Sequence, residues 1–498
     1  MNDKMNHALD EIDNKYLSEA EGYRRRRRPH LISAIAALLV VIIAFLAIPN
    51  KYGEPAPTKP TIQNSIEEVP NPSGIQSPNS WNLANLVAAP EYPEMAQRPK
   101  QSDYADYKEY TALLNIWQES QAAQYDQPAD YASDLFGFCR TSIPTFLNTE
   151  KNSVFSPINV YMALAMLAEV TDGESQRQIL QALPKKMTIE QLREQVAHIW
   201  NAHYCNDGAT TLLLGNSLWL DENYDFHQNT ADLLAEHYYA ASFRGDLGTD
   251  AMDQQLQQWL NANTGGLLQE QAENIKMDPA TVFALASTVY FAAGWENEFL
   301  PQNTKEMTFH CSNYNLITPF MRQTYIGTYY QGTHFDAVCL DLNGENKMWL
   351  ILPDKNHSAY YLTHSTEEYL RLTMDPDSWP KQSTHLIHLS LPKFDVVSEI
   401  DLIDGLKQMG IRDVFNSAKA DFTPLTDAPN LFVSQASHAT RVTVDEEGCL
   451  AAAFTVIAAP GSAPNQPPEL DFTLDRPFLF VISSRDNLPL FVGNVVEP

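Results

Sequence analysis

The sequence predicts a large globular domain carried behind an apolar span and an extended tether, and three observations predict it. The chain has 498 residues with 44% hydrophobic content, enough to bury a sizeable core and long for a single unit. Residues 31–48 are apolar except for Ser33 and follow five arginines at 24–28, a run of about bilayer length with a basic flank. Residues 50–100 carry prolines at 55, 57, 60, 70, 72, 78, 90, 93 and 99 with Gly, Ser and Asn between them, the composition of an extended stalk.

From the N-terminus, residues 1–30 are expected in the cytoplasm and 31–48 as a transmembrane helix. The 30 residues before the run are long for a signal-peptide n-region, and Ala44-Phe45-Leu46-Ala47 lacks a small-x-small cleavage pattern. A cleavable signal peptide is the competing reading. With no cysteine in or just after the run, lipidation is not indicated. The stalk, residues 49–100, holds the domain off the membrane, and its one apolar patch, residues 82–87, is expected to dock on the domain. Residues 103–125 space Tyr104, Tyr107, Tyr110, Leu113, Leu114, Ile116 and Trp117 mostly three or four apart, which predicts an amphipathic helix packed on the body within an extension over 101–127.

The formal charge is −29, and the first 30 residues carry seven Lys or Arg against six Asp or Glu. The remainder is therefore strongly acidic, which repels nucleic acid and anionic lipid and favours basic partners. Five cysteines at 139, 205, 311, 339 and 449 include no Cys-x-x-Cys pair, so neither a structural zinc site nor a disulfide framework is expected. No Gly-x-Ser-x-Gly elbow, His-Glu-x-x-His or phosphate-binding glycine loop is present, so the chain is not expected to be an enzyme or to carry a metal or cofactor.

The most informative segment is Glu446, Glu447, Gly448, Cys449, Leu450, Ala451, Ala452 and Ala453. It follows the β-branched Val442 and Val444 and leads into a loop with Pro460, Gly461, Pro464, Pro467 and Pro468. A glycine followed by small residues bends at its base and then fits a buried strand. Alternation puts Cys449, Ala451, Ala453 and Thr455 on one face and Leu450, Ala452 and Phe454 on the other. A surface alanine-rich loop or short helix satisfies these eight residues equally well.

Seven blocks in order resolve that choice. They are Phe155-Ser156-Pro157-Ile158-Asn159 with Ala163-Leu164-Ala165-Met166-Leu167; Trp259 with Thr264 and Gly266; Tyr290-Phe291 with Trp295 and Phe299; Leu391-Pro392-Lys393-Phe394; Met409-Gly410-Ile411 through Asp413-Val414-Phe415 and Ala420-Asp421-Phe422; Arg476-Pro477-Phe478-Leu479-Phe480; and Phe491-Val492-Gly493 with Pro498. Together with the alanine-rich segment they resemble the serpin family over roughly 128–498, and membrane-anchored bacterial serpins in particular.

The resemblance implies an α+β domain of about nine helices around three β-sheets with an exposed reactive-centre loop whose hinge is 446–453. It implies a suicide-substrate inhibitor: a serine or possibly cysteine protease attacks the loop, forms an acyl-enzyme, and is dragged across the molecule as the cut loop inserts into the central sheet. It assigns Ser156, Asn159, Ser287 and His438 to a shutter over the insertion gap, with Asn and Ser exchanged between 159 and 287 relative to the family, and Trp295 to the breach at its end. Counted in the family's manner, the reactive bond lies between Ser462 and Ala463, or alternatively between Gly461 and Ser462. Val456-Ile457-Ala458-Ala459-Pro460-Gly461 before it are small or apolar, which suits an elastase-like or subtilisin-like protease and not a trypsin-like one. Cys449, where the family usually has Thr, is exposed before insertion, so its oxidation would block the loop. The expected molecule is a monomer at the cell membrane, single-pass, with its N-terminus cytoplasmic and the domain outside. The alternatives are a non-inhibitory serpin-fold binding protein, an anchored binding module and a membrane-bound hydrolase.

Overall fold

The computed structural model describes residues 35–46 as backbone, and then 85–498 apart from 94, 100–102, 105, 129, 209, 265–274 and 447–466. Two large sheets dominate. The central one contains, in chain order, β1 (Ile35–Leu46), β2 (Leu86–Ala88), β4 (Cys205–Asn206), β5 (Thr210–Asp221), β6 (Ala240–Gly245), β7 (Thr281–Ala293), β13 (Phe394–Asp401) and β14 (Phe432–Val444). The second contains β3 (Ser153–Phe155), β8 (Lys305–His310), β9 (Asn315–Gln331), β10 (Phe335–Leu342), β11 (Asn346–Pro353), β12 (Gln382–Pro392), β15 (Glu469–Thr473), β16 (Phe478–Ser483) and β17 (Pro489–Val495). The described residues also form ten α-helices: α1 (Tyr107–Gln124), α2 (Leu135–Phe146), α3 (Pro157–Glu169), α4 (Gly173–Ala182), α5 (Ile189–His203), α6 (Gln228–Tyr238), α7 (Asp250–Asn263), α8 (Ala359–Ser365), α9 (Glu368–Met374) and α10 (Ile403–Gln408).

Across the central sheet the order is β13-β14-β1-β7-β5-β6-β2, with β4 beside β5. The second sheet runs β15-β12-β9-β10-β11-β16-β17-β3, with β8 beside β9. Among the described residues two sheets stand where three were expected, because β9 is 17 residues long and pairs with β12 along most of its length and with β10 at its end. One continuous strand thereby joins two pairing surfaces by hydrogen bonds.

The expected transmembrane helix over 31–48 is replaced, at 35–46, by a strand that pairs antiparallel with β14 on one side and β7 on the other. The physical reason is an ambiguity of the run itself: a strand covered on both faces reads as an unbroken apolar stretch, so periodicity does not separate it from a helix. The β-branched Val40, Val41, Ile42 and Ile43 favour the strand. Among the described residues no helix is long and apolar enough to cross a membrane.

The apolar patch expected to dock on the domain lies over 82–87, of which 85–87 are described. Leu86–Ala88 forms the edge strand beside β6, Asn85 Nδ2 donates to Gln255 Oε1 (2.9 Å), and the Tyr92 ring packs on Trp200 and Tyr204. The helix expected over 103–125 spans 107–124, capped by Asp106, whose side chain accepts from Lys108 N. Its inward stripe is Tyr110, Leu113, Leu114, Trp117, Gln121 and Gln124, while Tyr107 and Ile116 are exposed. The aromatic spacing thus gave the helix but overcounted its buried face.

Helix α3 is the hub. Ser156 caps it by accepting from the Asn159 N–H, Pro157 opens it, and residues 157–169 are buried throughout, as expected of a helix enclosed by the core rather than lying on its surface. The opposite face of the central sheet is covered by α7, through Met252, Leu256, Trp259 and Leu260 packed with Trp219 and Phe243. With both faces covered, β7 is buried along nearly its whole length.

Candidate functional site

The site is the end of β14, where the chain leaves the central sheet. Burial along β14 alternates, with Ala436, His438, Thr440, Val442 and Val444 inward, the period of a strand with one face in the core. Beyond Val444 one side chain holds the departing backbone and two hold the Glu446 carboxylate. Trp295 donates its indole N–H to the Asp445 carbonyl (2.9 Å), the Thr304 hydroxyl donates to Glu446 Oε1 (2.6 Å), and Lys393 Nζ lies 2.7 Å from Glu446 Oε2. Trp295 is itself buried and edge-on to Phe299, so it is a fixed post.

Burial opposes ionisation of Glu446, but hydrogen bonds from Lys393 and Thr304, with the lysine charge, outweigh it and hold the carboxyl below its usual range. The two latch partners were missed in the sequence. Lys393 stands in the sequence only as part of the Leu391–Phe394 block; the signal that finds it is strand register, since Phe394 pairs with Val444 and the next residues outward bring a cation beside Glu446. Thr304 carried no sequence signal.

A second cluster lies deeper along the same strand. Ser156, Asn159, Ser287 and His438 are all buried. Asn159 Nδ2 donates to Ser287 Oγ (2.9 Å). His438 is bonded to neither; its Nε2 accepts from the Ser156 backbone N–H (3.3 Å). That assignment puts the imidazole proton on Nδ1, and both His438 Nδ1 and Asn159 Oδ1 lack partners among the described residues. One is a donor and the other an acceptor. Strand β1 runs between β14 and β7: Val41 pairs with His438 on one side and with Ser287 on the other. Desolvation depresses the His438 imidazole to about 3, so it is neutral at physiological pH.

The hinge residues Glu447, Gly448, Cys449, Leu450, Ala451, Ala452 and Ala453, and the bond residues Gly461, Ser462 and Ala463, lie outside the described residues, as does Gly266. What is described is where the loop starts and where it ends. It departs from β14 at Glu446 and returns at Pro467 into β15, which lies parallel to β12 at the edge of the second sheet. Its two ends are therefore in different sheets, Glu446 after β14 of the central sheet and Pro467 before β15 of the second.

Residues 129–498 match the family described as Serpin (serine protease inhibitor), and the chain belongs to that family. It is 28% identical over 398 residues to alpha-1-antiproteinase 2 of Equus caballus, covering 76% of this chain and 92% of that protein. It is also 29% identical over 378 residues to Serpin-ZX of Arabidopsis thaliana, covering 71% of this chain and 94% of the relative. Among solved structures it is similar to the thermophilic serpin tengpin in the native state, with TM-score 0.63, 25% identity, and coverage of 83% of this chain and 99% of that one. Thyroxine-binding globulin in complex with thyroxine shares the fold, with TM-score 0.60 and 21% identity over 76% of this chain and 99% of the other. Family membership agrees with the absence of a catalytic constellation in the sequence.

Proposed function

We propose that the chain is a suicide-substrate inhibitor of serine proteases, with the loop over 447–466 as bait and the gap between β7 and β14 as the destination of the cut loop. The observation that supports this is β1 itself: β7 and β14 stand one strand apart and pair along both edges of an inserted segment, so the sheet accepts a strand there. The loop starts at the end of β14, adjacent to that position. After acylation at Ser462-Ala463 the freed N-terminal half folds back antiparallel to β14, pulling the esterified protease with it before water can deacylate the enzyme. The small and apolar residues before the bond fit an elastase-like or subtilisin-like protease. Cleavage liberates insertion energy because the uncut form is kinetically held.

One segment then has two uses. Residues 31–48 serve as the membrane anchor, with the basic N-terminus in the cytoplasm and the domain outside; in an anchored molecule they are not in the sheet, and the gap is open to the loop. A molecule with β1 seated has no vacancy, and its loop is a plain substrate. Seated β1 also favours the second reading, a non-inhibitory serpin-fold binding protein.

The test is incubation of the full chain, and of a chain lacking residues 1–80, with pancreatic elastase and with subtilisin, followed by denaturing gels and intact mass. A boiling-resistant species at the summed mass, with a released fragment starting at Ala463 or Ser462, supports the inhibitor. Cleavage of both chains with no complex and full protease activity overturns it in favour of the binding protein.

A further inference from the structure

We propose that His334, Asp354 and His357 form a divalent transition-metal site, with zinc as the expected occupant. Their ligand atoms all lie within 4.8 Å of one another. Strand register brings two of them together: Phe335 pairs with Pro353 at the end of the β10/β11 hairpin, so His334 and Asp354 face each other one step beyond, tied by the Asp354 N–H to the His334 carbonyl (3.0 Å). A tight turn supplies the third, through the His357 N–H to the Asp354 carbonyl (2.8 Å). The sequence offers only the short Asp354-x-x-His357 spacing, because residues 334 and 354 are separated by a whole hairpin.

One further observation points to a ligand, and two others fix where the side chains stand. The two imidazoles are stacked with centroids 3.8 Å apart and planes 16° from parallel, which keeps the rings together, and one ring turns out of the stack to share an ion because the in-plane lone pairs of parallel rings do not converge. His357 Nδ1 is buried from solvent and has no partner among the described residues, although an imidazole nitrogen ordinarily finds one. His334 holds a φ of 97°, a left-handed conformation that favours glycine, so its backbone is kept there by its surroundings.

Those surroundings are firm. The Thr333 N–H and hydroxyl both donate to the Glu368 carboxylate (2.8 Å each), and the Tyr361 ring packs edge-on to His334 and against His357. Asp354 Oδ2 is 3.7 Å from His334 Nδ1, so the carboxylate stands beside the imidazole.

Tetrahedral zinc with bonds of about 2.1 Å requires ligand atoms about 3.4 Å apart. The three side chains thus close by roughly an ångström on binding, within the reach of partly exposed rotamers. Two imidazoles and one carboxylate leave the fourth position to water, a donor set that suits zinc, copper and nickel and does not suit calcium or magnesium. The ion would join the turn after β9 to the start of α8, and so stabilise the folded state by mass action.

The test uses the full chain, stripped with chelator, titrated with zinc by calorimetry and with cobalt(II) by visible absorption. One equivalent is expected at micromolar affinity, with the intense d–d bands of a tetrahedral site. His357→Ala and Asp354→Asn should each weaken binding at least about tenfold, while His364→Gln, on the neighbouring helix, leaves it unchanged. Both ligand variants should keep the melting temperature of the metal-free parent and lose the rise that zinc produces in the parent. Binding that is millimolar, weakly absorbing, or unaffected by His357→Ala and Asp354→Asn is an adventitious ion only and overturns the proposal.

Discussion

Replacing Glu446 with glutamine tests the latch at the base of the loop. The Glu446 side chain is 11% exposed, and its two carboxylate oxygens are used separately, one by Thr304 and one by Lys393. Glutamine retains an acceptor for Thr304 but removes the charge that faces Lys393. A hydrogen bond to a charged group contributes about 1.5–3 kcal/mol. Lys393 is 38% exposed and regains water when unpaired, so the cost falls below the roughly 3–5 kcal/mol of breaking a fully buried pair. The expected loss is about 2 kcal/mol, seen as a lower unfolding midpoint and as faster cleavage of the loop by a nonspecific protease. The pairing term is isolated by a cycle with Lys393→Met, where a coupling of about 1–2 kcal/mol is expected.

The pH dependence has a definite sign. The Glu446 pKa is lower folded than its ordinary 4.5, so its contribution is complete above that value and disappears as the pH falls through the lower folded one. The parent and Glu446→Gln should therefore converge in strong acid. Additive single changes in the cycle, or a gap between parent and variant that persists at low pH, would refute the latch.

Three further outcomes follow from the shutter and from β1. Asn159→Ser should destabilise by about 1–2 kcal/mol by breaking the bond to Ser287, and Asn159→Ser with Ser287→Asn should recover most of the loss in denaturant melts; equal instability of the double variant contradicts a mirrored network. Because the buried His438 imidazole is depressed to about 3 from 6.5, stability is complete above pH 6.5 and declines as the pH falls toward 3, by about 2 kcal/mol at pH 5; His438→Gln should flatten that slope, and an unchanged slope would show that the titration lies elsewhere. Deleting residues 1–80 removes β1 and should let His438 Nδ1–H donate to Asn159 Oδ1, giving a slowly exchanging downfield imidazole proton by NMR; a proton that exchanges as fast as in the full chain counts against the closed shutter.

Much of the site was legible as sequence. The Phe155 to Asn159 block became the cap and first turn of α3, Trp295 stands against the loop base, and Asn159 meets Ser287. These are short-range statements, or ordered blocks whose residue types are constrained by close packing. Long-range polar pairs were not legible: Thr304 reaches Glu446 across more than a hundred residues of chain, and the His334, Asp354 and His357 cluster depends on hairpin register that periodicity alone does not supply.

The sequence by itself determined the serpin family and the alternating strand that ends at Val444, because local pattern and volume are written residue by residue. The tertiary structure alone decided the fate of residues 35–46. An unbroken apolar run satisfies a bilayer as a helix and a doubly covered sheet as a strand, and only the presence of two strand edges with unpaired backbone groups selects between them. The same decision set His438 and Ser287 on opposite sides of an inserted strand.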